Sequence, residues 1–96
     1  MGYRAVMMSP YDNVATALEE IPAGDLVRVR KGEEQLRIEV KELIPFGHKF
    51  ALEFIAAGAK VVKYGEVIGV ATQDIGLGWH VHIHNVESLR GRGDKE

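Results

Sequence analysis

Short runs of β-branched and apolar residues alternate with polar, glycine-containing stretches along this chain, the pattern of many short strands joined by turns. Runs of that kind predict strands over residues 4–8, 26–30, 36–44, 61–64, 67–71 and 79–87. Lys31-Gly32-Glu33-Glu34 predicts a hairpin turn between the second and third of them. One short helix is expected over residues 13–20, with Asp12 or Asn13 able to cap its first turn. The fold class is therefore mostly β, with no linker dividing it.

Three segments overlay on one frame, Ala-x-x-x-Ile-x-x-Gly-x-x-Val. They are anchored at Ala17, Ile21, Gly24 and Val27, at Ala51, Ile55, Gly58 and Val61, and at Ala71, Ile75, Gly78 and Val81. The frame reads as a turn of irregular or helical chain, an isoleucine fixed in the core, a reversal at a positive-φ glycine, and a valine that restarts a strand. Offsets of 34 and then 20 residues are too uneven for a solenoid. A β-domain that reuses one turn device fits them better.

The alternation is sharpest in Gly78-Trp79-His80-Val81-His82-Ile83-His84-Asn85. A strand there puts His80, His82 and His84 on one face and leaves Val81 and Ile83 free to enter a core. Three of the chain's four histidines lie on this ribbon. Imidazole titrates near neutral pH and is the commonest protein metal ligand, so this face is the natural place for chemistry. Residues two apart on a strand are roughly 6.6 Å apart and residues four apart about 13 Å. His82 and His84 can converge on one ion if the strand bends, whereas all three cannot without distortion. The plainer reading is a solvated polar face on an edge strand. Trp79, the only tryptophan, reads as a core or interface anchor.

Composition narrows the function classes. Ninety-six residues make one domain, with a core over about 12–88 and a flexible tail over 89–96. A net charge of −2 favours neither nucleic acid nor an anionic membrane, and no apolar run approaches the ~20 residues of a membrane helix. The first residues do not pattern as a secretory signal. With no cysteine, disulfides, a thiolate nucleophile and cysteine-ligated iron–sulfur clusters are excluded within these residues, and a cytoplasmic location is expected. The Arg-Gly-Asp triplet at 92–94 follows a second arginine, Arg90, and reads as a tail able to dock on an acidic groove rather than as an adhesion signal.

Three motifs occur in order: Gly47-His48-Lys49-Phe50-Ala51-Leu52, then Val62-Lys63-Tyr64-Gly65-Glu66-Val67-Ile68-Gly69, then the histidine ribbon ending at Asn85. In these the chain resembles the SAF domain of altronate and galactarate dehydratases, and it is similar to the small subunit of sulfolactate sulfo-lyase, over about residues 12–94. The resemblance implies an SAF-type β-clip fold with one short helix. It also implies a lyase: the small subunit of a sugar-acid dehydratase, inactive alone, whose main catalytic part is on a large dehydratase subunit or domain. A divalent metal, Fe2+ or Mn2+, is implied as cofactor. The alternatives are the small subunit of a sulfolactate sulfo-lyase, or a non-catalytic module that binds a carbohydrate or anion or that forms a homo-oligomer.

Within that reaction His48, His82 and His84 are the catalytic candidates, and His82 and His84 the candidate metal ligands. Lys49, Lys63, Tyr64, His80 and Asn85 are the candidate substrate contacts, since ammonium groups neutralise a carboxylate and amide or hydroxyl groups bind sugar hydroxyls. Each also has a plainer reading. His48 and Lys49 can form a surface turn, Tyr64 can be a half-buried ring beside a solvated Lys63, and Asn85 can bond its own backbone at a strand end.

Overall fold

Nine strands are present among residues 3–88, the part of the chain that this computed structural model describes. They are β1 (Ala5–Val6), β2 (Val14–Ala17), β3 (Leu26–Lys31), β4 (Glu34–Glu39), β5 (Lys49–Ala51), β6 (Lys60–Lys63), β7 (Glu66–Ala71), β8 (His80–Val81) and β9 (Val86–Ser88). Six form one sheet in the order β4-β3-β1-β2-β5-β8, and three form a second in the order β6-β7-β9. All pairings are antiparallel except β1 with β3.

The repeated frame is the structural unit, and it occurs four times rather than three. The fourth copy is anchored at Val40, Ile44, Gly47 and Phe50, with valine where the others have alanine and phenylalanine where they have valine. The four copies join in two pairs. In the first, Ile21 and Ile44 exchange both backbone hydrogen bonds, and the Gly24 and Gly47 N–H groups donate to the carbonyls of Val40 and Ala17. In the second, Ile55 and Ile75 exchange theirs, and Gly58 and Gly78 donate to Ala71 and Ala51. The four frame glycines have φ between 84° and 93°, a region that a residue with a Cβ enters only at a cost.

Each pair closes over its own core. Ala17, Ile21, Val27, Val40, Ile44 and Phe50 share one buried cluster. Ala51, Ile55, Val61, Ala71, Ile75 and Val81 share the other. The chain crosses between them inside β5, where Phe50 enters the first cluster and Ala51 the second. Successive side chains on a strand point to opposite faces, so one step along the backbone changes cores. The result is an elongated body of 46 × 25 × 21 Å made of two like halves, each a crossed pair of frames carrying one hairpin, β3–β4 or β6–β7.

Three expectations need correction. There is no helix among the described residues, and residues 14–17 form β2, antiparallel to β1 and β5. The polar residues expected to cap a helix are used elsewhere: the Asn13 side chain bonds the backbone of Lys60 and Val62, and the Asp12 carboxylate accepts from four backbone N–H groups. Val14, Ala15 and Ala17 are each 1% exposed, so tertiary burial overrides the local helix signal. The strand expected over 79–87 breaks at Val81, turns through 82–85, and restarts as β9. Ile83 therefore stands 84% exposed on that turn instead of entering the core. The remaining expected strands are present with shifted ends, and the tail at 89–96 lies outside the described residues. Among the described residues no helix is long and apolar enough to cross a membrane.

Candidate functional site

Strand register brings together histidines that are distant in sequence. β5 pairs antiparallel with β8, Lys49 opposite Val81 and Phe50 opposite His80. One step further along the same register sets His48 opposite His82, and their rings stack with centroids 4.1 Å apart. The diagonal neighbour across the strands is His80, whose Nε2 lies 2.9 Å from His48 Nδ1, a hydrogen bond that either ring can donate. The backbone N–H of His80 donates to the Glu42 carboxylate at 3.0 Å, which fixes the strand against the loop after β4.

The turn after Val81 completes the cluster. Asn85 is 5% exposed and spends its side chain on this turn: Oδ1 accepts the His82 N–H at 2.9 Å and Nδ2 donates to the His80 carbonyl at 2.8 Å. Of the two roles open to Asn85 it takes the backbone one. By curling the chain it draws the His84 ring to 5.2 Å from that of His80, where an extended strand would hold them about 13 Å apart. His48, His80 and His82 thus form one stack, and the His84 ring packs against His80 at its edge, tilted by 37°.

Beside the stack lies an open cleft of about 700 Å³ whose polar lining includes Lys49, Lys63, Tyr64, Glu66 and His82. Lys49 begins β5; Lys63 and Tyr64 come from the tip of the β6–β7 hairpin. The two turn motifs and the ribbon therefore converge. His82 is the histidine that belongs to both the cleft and the stack, while His48, His80 and His84 stand outside the cleft lining. Neither lysine has a carboxylate within ion-pair distance among the described residues, although Lys63 lies 5.3 Å from the Tyr64 ring centre. Burial, and then the Lys63 charge, hold the Lys49 ammonium below its ordinary pKa. Lys49 and Lys63 thus face this cleft without an ion-pair partner among the described residues, and Glu66 is the carboxylate that shares its lining.

Burial also holds His80 and His82 below the ordinary imidazole value of 6.5, with His48 the next contributor in both. The shift favours their uncharged form, the one that offers a lone pair to a metal ion. One ligand nitrogen each from His48, His80 and His82 lies within 4.8 Å of the others. Two imidazoles bound to one ion at about 2.0–2.1 Å would have nitrogens roughly 3.0–3.4 Å apart, so a small closure of this group fits a divalent ion. The set contains His48 in place of His84. An all-imidazole set suits iron(II) better than manganese(II), which favours carboxylates.

The lowered pKa values set the pH dependence of stability. Below about pH 6.5 the unfolded chain takes up protons on His80 and His82 that the folded chain resists. Their contribution to stability is complete above that value and is lost as the pH falls through the lowered folded pKa values. We expect the urea midpoint of the metal-free chain to be lower at pH 5.5 than at pH 7.5, and that difference to shrink when both residues are glutamine. An undiminished difference in the double variant would assign the effect to other groups.

Two contributors to the site carried no signal in the sequence. Glu42 sits in a charged stretch with no motif around it, and Asp12 looked like a helix cap. Only a prediction of strand register would have paired them with His80 and Tyr64.

The family model for the altronate/galactarate dehydratase SAF domain matches residues 3–89. The chain is 48% identical over 77 residues to an altronate dehydratase of Escherichia coli and 44% identical over 77 residues to one of Bacillus subtilis. Each alignment covers 80% of this chain and 15% of the relative, so the chain spans a small part of those enzymes. It is also 40% identical over 75 residues to the (2R)-sulfolactate sulfo-lyase subunit alpha of Chromohalobacter salexigens, covering 76% of this chain and 80% of that subunit. A match over nearly the full length, on a β fold with the expected motifs gathered at one cleft, places this chain in the family of altronate/galactarate dehydratase SAF domains.

Proposed function

We propose that this chain is the small, SAF-domain component of a sugar-acid hydro-lyase, and that it supplies an anion-binding and metal-binding wall to an active site completed by a large dehydratase chain. The observation that carries the reading is the convergence of Lys49, Lys63, Tyr64 and His82 on one cleft, with the other imidazoles stacked behind. Altronate and sulfolactate, named in the relatives' activities, share a chemical plan: a carboxylate, a hydroxyl on C2, and a leaving group on C3. Elimination takes the C2 proton and expels the C3 group, and the enol formed becomes a 2-keto acid. The hard step is loss of a weakly acidic proton, which needs the charge spreading onto the carboxylate to be held.

Lys49 and Lys63 are placed to hold that carboxylate as point charges, and the Tyr64 hydroxyl to bind a sugar hydroxyl. His48, His80 and His82 would hold the divalent ion. When bound, such an ion supplies Lewis acidity to the substrate's carboxylate and hydroxyl oxygens. Burial, and then the neighbouring His48, favours the neutral imidazoles of His80 and His82, and the Glu42 and Asn85 contacts fix the backbone that carries them, so the group is oriented before substrate arrives.

A second reading, sulfite release from sulfolactate, draws on the 40% identity to a sulfo-lyase subunit along 80% of its length. One experiment tests both. Turnover of D-altronate, galactarate and (2R)-sulfolactate is measured with the chain alone and after mixing with its large partner chain, as 2-keto acid formed and sulfite released. We expect no turnover alone and turnover of one substrate by the pair. Conversion by the lone chain, or of none by the pair, would overturn the proposal.

A further inference from the structure

We infer that Asp12 is a positioning residue for the substrate cleft: its buried carboxylate holds the Lys63–Tyr64 hairpin tip where those two side chains face Lys49 and His82. Asp12 is 5% exposed and has no cationic side chain as an ion-pair partner among the described residues. Burying an unpaired carboxylate is costly unless hydrogen bonds replace its water. Here four backbone N–H groups do so. Oδ2 accepts from Met8 at 3.1 Å, Ser9 at 3.0 Å and Tyr64 at 3.1 Å, and Oδ1 accepts from Gly65 at 2.9 Å. Two donors belong to the segment before β2 and two to the hairpin tip, so one carboxylate ties together parts of the chain 52 and 53 residues apart.

The tip needs holding. Tyr64 and Gly65 form a two-residue turn with φ of 60° and 72°, the mirror-image geometry for which Asn-Gly is the unstrained pair. Tyr64 is the one non-glycine residue with positive φ among those described. Packing does not repay that strain, because Tyr64 is 63% exposed. A strained, exposed aromatic residue at a cleft is kept for what its side chain does. At the corresponding turn of the first half, glycine occupies the strained position at Gly32, and no carboxylate holds that tip among the contacts of the described residues. Asn13 extends the attachment by accepting the Val62 N–H and donating to the Lys60 carbonyl, both at 2.9 Å, beside the irregularity in β6 pairing at Val61 and Val62.

This inference rests on the reading that Lys63 and Tyr64 touch substrate, and the test separates the two. In Asp12→Asn the amide keeps the shape, but one acceptor becomes a donor facing N–H groups. Amide hydrogen exchange on the isolated chain should quicken at Tyr64 and Gly65 by ~10-fold or more, with Val27 and Val29 unchanged. In the lyase assembled with its large chain, KM for the accepted acid should rise ~10-fold while kcat stays within about threefold, the mark of misplaced binding groups. Tyr64→Gly removes both the strain and the ring. It should raise KM by itself, and adding Asp12→Asn to it should raise KM by a smaller factor than Asp12→Asn does alone, since only Lys63 is then left to misplace. If Tyr64→Gly and Lys63→Ala leave KM unchanged, the substrate reading fails. If Tyr64→Gly raises KM but Asp12→Asn does not, the positioning inference fails while the substrate reading stands.

Discussion

Gly78→Ala should destabilise the domain far more than Gly58→Ala, although the two glycines hold the same place in their frames and nearly the same backbone, φ 85° and 87°. A Cβ on Gly58 would meet nothing within 4 Å, so alanine there bears only the left-handed conformation, about 1–2 kcal/mol. A Cβ on Gly78 would lie 2.2 Å from the Glu39 carbonyl oxygen, inside any tolerable contact, and the obstacle is backbone. Relief requires Gly78 to move away from β4. That motion breaks the bond from Lys41 N–H to the Gly78 carbonyl and strains the bond from Gly78 N–H to the Ala51 carbonyl, both 2.9 Å. These bonds link the second pair of frames to the end of β4 and to β5, so the damage spreads to the contact between the two halves. We expect a loss of ~3 kcal/mol or more for Gly78→Ala, against a total stability of about 5–10 kcal/mol for a domain of this size. Urea denaturation of both variants, followed by circular dichroism, measures the difference. Equal midpoints would mean that the halves are not joined through Gly78.

How much of this was legible in the sequence can be followed at particular residues. The glycine frame was visible in three copies because their alanine, isoleucine and valine anchors are identical. The fourth escaped because Val40 and Phe50 stand where the others have alanine and valine, and burial in the first core asks for an apolar side chain rather than for one identity. Pairing between copies could not be read at all, since it depends on backbone hydrogen bonds that any residue can make. β2 was misread because Asp12-Asn13 before a run of small residues looks like a capped helix, while its true signal, burial of Val14, Ala15 and Ala17, is a tertiary fact. The ribbon's alternation predicted a shared face, and the imidazoles gather by another route. Its histidines lie together through a turn pinned by Asn85 and meet His48 on a neighbouring strand, rather than sharing one straight face.

The same contrast sets the largest catalytic effect. In sequence His82 and His84 are equivalent, two residues apart on one face of an expected strand, and nothing in the pattern ranks them. In the fold only His82 lies opposite His48, contributes to the group of three convergent imidazole nitrogens, and lines the cleft with Lys49 and Lys63. His84 touches the stack through His80 alone. In the lyase proposed above, assembled with a large dehydratase chain, His82→Ala should therefore lower kcat by ~10²-fold or more, the ordinary cost of losing one positioned imidazole. His84→Ala should change it by less than ~10-fold. Folding should be unaffected in both, because the Asn85 side chain holds this turn through the His82 N–H and the His80 carbonyl, backbone groups that alanine retains. Cobalt(II) absorption, read on the isolated chain as a substitute ion, gives a second measure: the signal should be lost in His82→Ala and kept in His84→Ala. Equal losses in the two variants, in turnover or in metal binding, would mean that the site follows the alternation of the sequence and not the stack built on β5 and β8.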